Sequence, residues 1–403
     1  MKNKSNLIFL HKLFKAFADS TILVFVPLFI LKSSGNIYLS FAYLLTNTIG
    51  SIVIMLLFKK VIQKYGVIGV LLHFIPILLA QYLLNFCPVN LTLSIVCGLL
   101  SAITQCMYWI PLNLLFAISD TNNDVAKFQV STNVGKLFFI LISGFILGST
   151  IKNSFLYLVI IATIFYIVCT IPIAYGYRVL RNSYAPLATA ETDKKTYPLF
   201  NLYHILFGSF QSALDNIVPL YLYVNNLSFE SVASVIALVE LFKMGSNYFC
   251  KFLISRSQQI LCVSISAAIF FTCSVLLLII KIPVVLYILS CLINVAFPLT
   301  FVTLFKMFCD RIECDNHLLS GISDRDVYIF YGKFPIYTIY YLIPNMTACI
   351  IIGIAGGIAM YITQLKVIKS EKANPPLKTN ILEVNTELAV KATTPQPDVT
   401  SNN

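Results

Sequence analysis

Charge is what this chain has least of: Asp, Glu, Lys and Arg make up only 11% of its 403 residues. Soluble domains carry about 25%. So few charges cannot cover a water-facing surface, which excludes an ordinary soluble domain. With 58% of the residues hydrophobic, lipid must be the main solvent. Catalytic signatures are also lacking. No H-E-x-x-H, G-x-S-x-G or nucleotide-binding glycine loop occurs, so the chain reads as a non-enzyme that needs no cofactor. No small-residue cleavage site follows the first apolar stretch, and Lys12, Lys15 and Asp19 interrupt it. That stretch therefore reads as a membrane helix and not as a signal peptide. The eleven cysteines show no C-x-x-C spacing and mostly fall in apolar runs. They read as small buried hydrophobes with no disulfide framework. The segment "CDRIECDNH" (309–317) offers Cys309, Cys314 and His317 as soft ligands but no clear fourth. It reads as a solvated loop, and no metal is expected.

What the chain does have is a succession of apolar stretches of spanning length, about 17–25 residues each. Twelve are read at about 8–31, 37–58, 66–86, 91–117, 129–151, 154–177, 201–223, 230–253, 259–280, 282–306, 327–343 and 345–365. The last two are short and joined by a tight turn at Pro344-Asn345. With the N-terminus in the cytoplasm, the inner segments hold Lys59, Lys60, Lys64, Lys127, Arg178, Arg181, Lys194, Lys195, Lys251, Arg256, Lys306, Arg311 and Arg325, while the outer loops hold only Lys32, Lys152 and Lys281. That asymmetry puts both termini on the cytoplasmic side. It also accounts for the net charge of +11 without a nucleic-acid partner. Residues 179–200 form a polar linker between six spans and six spans. The tail from 367 carries "NPP" and "TTPQPDVTSNN" and is too polar to build a core, so it reads as disordered.

An internal echo accompanies this division. "VPLFIL" (26–31) resembles "VPLYLY" (218–223), "IGS" (49–51) resembles "MGS" (244–246), and "VGKLF" (134–138) resembles "YGKFP" (331–335). The matches keep the same order with slowly growing offsets, as a duplicated bundle with loop insertions would. Both halves start on the same side, so the repeats are parallel. In this arrangement the chain resembles the major facilitator superfamily of secondary transporters over residues 1–366. The expected fold is an all-α integral membrane protein of twelve helices in two parallel six-helix repeats. The expected units are an N-terminal bundle (1–178), a linker (179–200), a C-terminal bundle (201–366) and a tail (367–403).

The family's signature loop, G-x-x-x-D-R-x-G-R-R, is eroded here. In "KVIQKYGVI" (60–68), Lys64 and Gly66 match, but Gln63 replaces the acid and Val67-Ile68 the basic pair. Arg256 is kept in the corresponding C-terminal segment. Gly135, Gly144 and Gly148 in the fifth span resemble the glycine pattern of family antiporters. Their plainer reading is close helix packing through small residues.

Ionisable groups inside spans are expensive, about 2.5–3.5 kcal/mol each, and mark candidate sites when they cannot reach water. Asp19 lies roughly 16 Å into the first span, and Asp215 is similarly deep in the seventh. The resemblance implies that these spans line a central chamber. Either acid could be a protonatable coupling group; alternatively Asp19 pairs with Lys15 at i,i+4. Lys136 and Lys333 read either as cations facing the chamber or as snorkelling braces. Glu240 and Lys243 stand at i,i+3 and should neutralise each other. By resemblance Gln105 and Gln211 fall in chamber-lining spans. Trp109 precedes Pro111 in the fourth span, followed by Asn113; aromatics beside amides suit a solute with apolar and polar parts.

The function expected is secondary active transport of a small organic solute by alternating access, proton-coupled, in a bacterial cytoplasmic membrane. Import and export stay open. The partners expected are the solute, the lipid bilayer and protons, with the protein a monomer. The alternatives are a transporter-like receptor or lipid-handling protein, or an efflux antiporter of the same fold.

Overall fold

The computed structural model describes residues 2–118, 124–184, 196–225, 227–255, 259–280, 282–314 and 318–373. Every regular element among them is helical. In chain order these are α1 (Lys2–Ile22), α2 (Val26–Ser34), α3 (Ile37–Leu72), α4 (Phe74–Phe86), α5 (Leu91–Ile118), α6 (Asp124–Gly148), α7 (Ser154–Tyr175), α8 (Tyr177–Tyr184), α9 (Pro198–Ser212), α10 (Val218–Val224), α11 (Phe229–Ser255), α12 (Gln259–Ile279), α13 (Pro283–Cys314), α14 (Leu318–Leu342) and α15 (Met346–Ala373).

Six described stretches are long and apolar enough to cross a bilayer: Asn6–Ser34, Ile37–Ile62, Lys64–Phe86, Leu91–Leu115, Ser154–Tyr175 and Met346–Ala373. Thr132–Gly148 and Ile260–Leu276 are shorter apolar helices. Large apolar side chains such as Leu57, Phe145 and Ile171 point outward and stay exposed. In water such a surface would aggregate; in a bilayer it meets acyl chains.

Two helices are broken by the same chemistry. Proline lacks an N–H and cannot donate to the carbonyl four residues back. For Pro27 that carbonyl belongs to Leu23, and the chain tightens into a 3₁₀ turn at Leu23–Phe25. For Pro219 it belongs to Asp215, and the chain widens into a π turn at Ala213–Ile217. Here the amide of Val218 donates to the carbonyl of Ala213. The two breaks fall at the same place in the "VPLFIL" and "VPLYLY" segments.

Several expected boundaries move. The loop expected near residues 59–65 is a kink at Tyr65 (φ −110°, ψ 20°) inside the 36-residue α3. The last two helices are not short: α14 has 25 residues and α15 has 28. Polar Ser323, Arg325 and Asp326 are buried within α14, while Val367 and Ile368 bury the end of α15 and carry it past 366. The turn between them is as expected, with Asn345 Oδ1 accepting from the amide of Thr347 at 2.9 Å. Residues 309–314, expected as loop, form the last turns of α13. His317 lies outside the described residues, as do 185–195 of the linker and 374–403 of the tail. The linker's described ends are helical, in α8 and α9.

Helices from before and after the linker pack together along two seams. In one, α6 approaches α11 so closely that a Cβ on Gly144 would collide with Ala233. In the other, Met55 of α3 and Cys106 and Ile110 of α5 share a core with Val327 and Phe330 of α14. Within each set, a glycine lets neighbours touch: Gly135 of α6 abuts Phe17 of α1, and Gly332 of α14 abuts Ile205 of α9.

Candidate functional site

The end of the bundle that carries the N-terminus is here termed inner and the opposite end outer. Midway between them, four charged side chains form a continuous row. Lys136 Nζ of α6 lies 3.7 Å from Glu240 Oε2 of α11. Glu240 Oε1 accepts from Lys243 Nζ at 3.2 Å, one turn on. Lys243 Nζ then lies 3.5 Å from Asp215 Oδ1, in the π turn. The side chains of Glu240 and Lys243 are only 8% and 12% exposed, whereas those of Asp215 and Lys136 are 37% and 34% exposed. Buried charges persist only when paired, and here pairing joins a helix that precedes the linker to two elements that follow it. The π turn matters because such insertions re-aim side chains and gather at functional sites.

A second cluster sits on α1. Lys15 and Asp19 pair at i,i+4, and Tyr166 of α7 donates to Asp19 Oδ1 at 2.8 Å. Lys15 Nζ also lies 4.1 Å from the ring centre of Tyr108 and 5.8 Å from that of Trp109. His11 and His73 flank Tyr108, with ring centroids 5.7 and 4.7 Å away. The Nδ1 of His11 lies 2.6 Å from the carbonyl of Cys169. A carbonyl only accepts, so Nδ1 donates there.

The two ends are bridged differently. At the inner end, Lys59 of α3 contacts Asp324 of α14 at 2.7 Å. Asn113 Nδ2 of α5 donates to Asp326 Oδ2 at 3.3 Å, and Asp326 is also paired with Arg325. At the outer end, Phe41 of α3 stacks on Tyr340 of α14 at 3.7 Å. Tyr341 Oη there donates to the carbonyl of Tyr38 at 3.0 Å.

The residues singled out from sequence thus fall in three places. Lys136, Glu240 and Asp215 meet in the central row. Asp19 and Trp109 belong to the α1 cluster, and Trp109 is 39% exposed. Asn113 belongs to the inner bridge. Gln105 of α5 and Gln211 of α9 are half-buried. Lys333 of α14 lies 5.0 Å from the ring centre of Phe330. The expected mutual pairing of Glu240 and Lys243 is present, and Lys243 has the further partner Asp215. Lys136 pairs with Glu240 across the seam. Sequence reasoning missed Tyr166, the histidines and the Arg325–Asp326 pair. The stripe His11–Lys15–Asp19 at i, i+4, i+8 was the available signal for the first cluster. For Arg325–Asp326 there was none, because the segment read as loop.

No protein-family profile matches the chain, and no curated protein matches it by sequence. Solved structures do. A bacterial homologue of the iron transporter ferroportin, in its outward-facing state, is similar with a TM-score of 0.68 at 15% identity, over 90% of this chain and 98% of that one. The human organic anion transporter MFSD10 is similar with a TM-score of 0.62 at 12% identity, over 90% and 99%. The E. coli fucose:proton symporter FucP, a major facilitator superfamily transporter, is similar with a TM-score of 0.54 at 13% identity, over 89% and 97%. At such identities the likeness speaks for the fold. Together with the apolar helices, it shows that this is a multi-pass integral membrane protein with the fold of the major facilitator superfamily of transporters.

Proposed function

We propose that the protein is a secondary active transporter of a small organic solute, working by alternating access and not as an enzyme. The observation that carries this reading is the central charged row. It lies between two sets of contacts, polar at the inner end and aromatic at the outer end, each joining helices from before and after the linker. Breaking one set while keeping the other would open the row to one side at a time.

The moving bodies are residues 1–178 and 201–366, each a six-span bundle in a parallel pair, with both termini cytoplasmic. Several features support the duplication: the matched proline breaks at 23–25 and 213–217, and the matched glycine contacts of Gly135 on α1 and Gly332 on α9. Twelve spans follow if α1 and α2 form one bent span, α3 is divided at Tyr65 with its second part continuing into α4, α9 and α10 form another bent span, and the 8-residue α8 is not a span. The setting is a bacterial cytoplasmic membrane, and the working unit is a monomer.

Coupling to protons is placed at Asp215, the more exposed acid of the row. Its protonation would release Lys243 to Glu240 alone and loosen the tie between α11 and the π turn. Asp19, held by Lys15 and Tyr166, has a positioning role inside the first bundle.

The test is distance measurement by spin labels in lipid nanodiscs. One pair would span the inner contacts (Lys60 and Tyr328) and one the outer contacts (Asn36 and Leu342). The expected result is two populations whose distances change in opposite senses with pH. A single rigid distribution at both ends across the pH range would remove the transporter reading and favour a receptor-like protein.

A further inference from the structure

The charges of the central layer do not balance. Lys136, Lys243 and Lys333 supply three ammonium groups, against the two carboxylates of Glu240 and Asp215. The first two lysines are each in ion-pair contact with an acid of the row. Among the described residues, no carboxylate is in ion-pair contact with Lys333. Its ammonium lies 5.0 Å from the ring centre of Phe330. Asp215 and Asp326 lie within Coulomb range of it, but Asp215 is engaged by Lys243 and Asp326 by Arg325 and Asn113.

Lys333 sits midway between the two bridges. Along α14 it is nine residues from Asp324 at the inner bridge and eight from Tyr341 at the outer one. At 1.5 Å per residue these are about 13 Å and about 12 Å. A lysine stem covers only part of either distance. An ammonium group held at this depth without an acid in ion-pair contact is costly, and the cost falls when an anion arrives. A cationic solute would raise it.

Resting on the transporter reading above, we propose that the solute is an organic oxyanion, a carboxylate or a phosphate, and that Lys333 is the group that receives its charge. Lys136 has its charge occupied by Glu240.

The experiment is thermal unfolding of the full chain in nanodiscs at constant ionic strength. Four probes share one ring: benzoate, phenyl phosphate, benzylamine and benzyl alcohol. Benzoate or phenyl phosphate should raise the Tm saturably, and which of them does so tells carboxylate from phosphate. Benzylamine should not. In Lys333→Gln the apparent Kd for the anion should weaken by about tenfold or more, as loss of a charge-assisted contact implies, while Lys333→Arg retains binding. The same Gln variant should unfold no more easily than the parent without ligand, because no internal pair is lost. The proposal is overturned if neither anion shifts the Tm up to the millimolar range, if benzylamine does so, or if Lys333→Gln leaves the anion shift intact. None of these results touches alternating access, which stands or falls on the spin-label distances.

Discussion

Lys136 and Glu240 face each other 3.7 Å apart across the seam between α6 and α11. They tie the part of the chain before the linker to the part after it, and they do so beside Lys243, which is shared between Glu240 and Asp215. The row is therefore a chain of dependencies. Removing an interior member takes the end residue beside it out of the row, while removing an end member leaves every other member paired.

Lys243→Gln should accordingly be the most damaging single change in the row. It takes from Glu240, whose side chain is 8% exposed, one of its partners in the row and leaves Asp215 with no contact from this row. Breaking a buried pair on one side costs about 3–5 kcal/mol. Adding Asp215→Asn should recover part of the loss, because the stranded charge disappears. Thermal unfolding of the two variants in nanodiscs measures the difference, and no recovery would mean that the two side chains are not energetically coupled.

The inner bridge should behave as a charge-swappable contact. Lys59→Glu or Asp324→Lys alone should shift the inner distance distribution toward separation, and the double swap should restore it. The pair is exposed, so the effect is about 0.2–1 kcal/mol, a few-fold in population. Restoration in the double swap distinguishes a direct contact from two unrelated surface charges.

Neutralising the two deep acids should have different outcomes. Asp215→Asn should abolish the pH dependence of the inner and outer spin-label distances while leaving the fold intact. Asp19→Asn should leave that dependence in place. It should cost stability instead, because Lys15 loses its paired carboxylate within the bundle.

The seam between α6 and α11 sets a steric prediction. Gly144→Leu places a branched side chain where Ala233 already touches, so the helices must separate. Overpacking of this kind costs about 1–3 kcal/mol. Gly144→Leu combined with Ala233→Gly should recover part of it. Unfolding temperatures of the parent and the two variants decide the matter.

The chain contains one tryptophan, and its position makes it a reporter. Trp109 packs edge-on against Tyr108 at 5.0 Å and lies 5.8 Å from the Lys15 ammonium. Lys15→Met should shift its emission, since the charge nearest the ring is removed, whereas Lys333→Gln should not. Steady-state fluorescence of the two variants is sufficient to show it.

The sequence by itself determined that this chain lives in lipid and that apolar stretches of spanning length follow one another along it. Those features are local, because composition sets the solvent; the breaks before Pro27 and Pro219 were seen only in the structure. The i,i+3 and i,i+4 pairs, Glu240 with Lys243 and Lys15 with Asp19, were legible because they too are local. Only the tertiary structure decided which charges meet across the seam. Lys136 and Glu240 are more than a hundred residues apart, and no periodicity links them. The burial of Arg325 and Asp326 was equally invisible, because a charged segment reads as solvated until a neighbouring helix covers it. Lys333 drew its significance from the same source: which acids are already engaged is a property of the packed bundle, and no single stretch of sequence contains it.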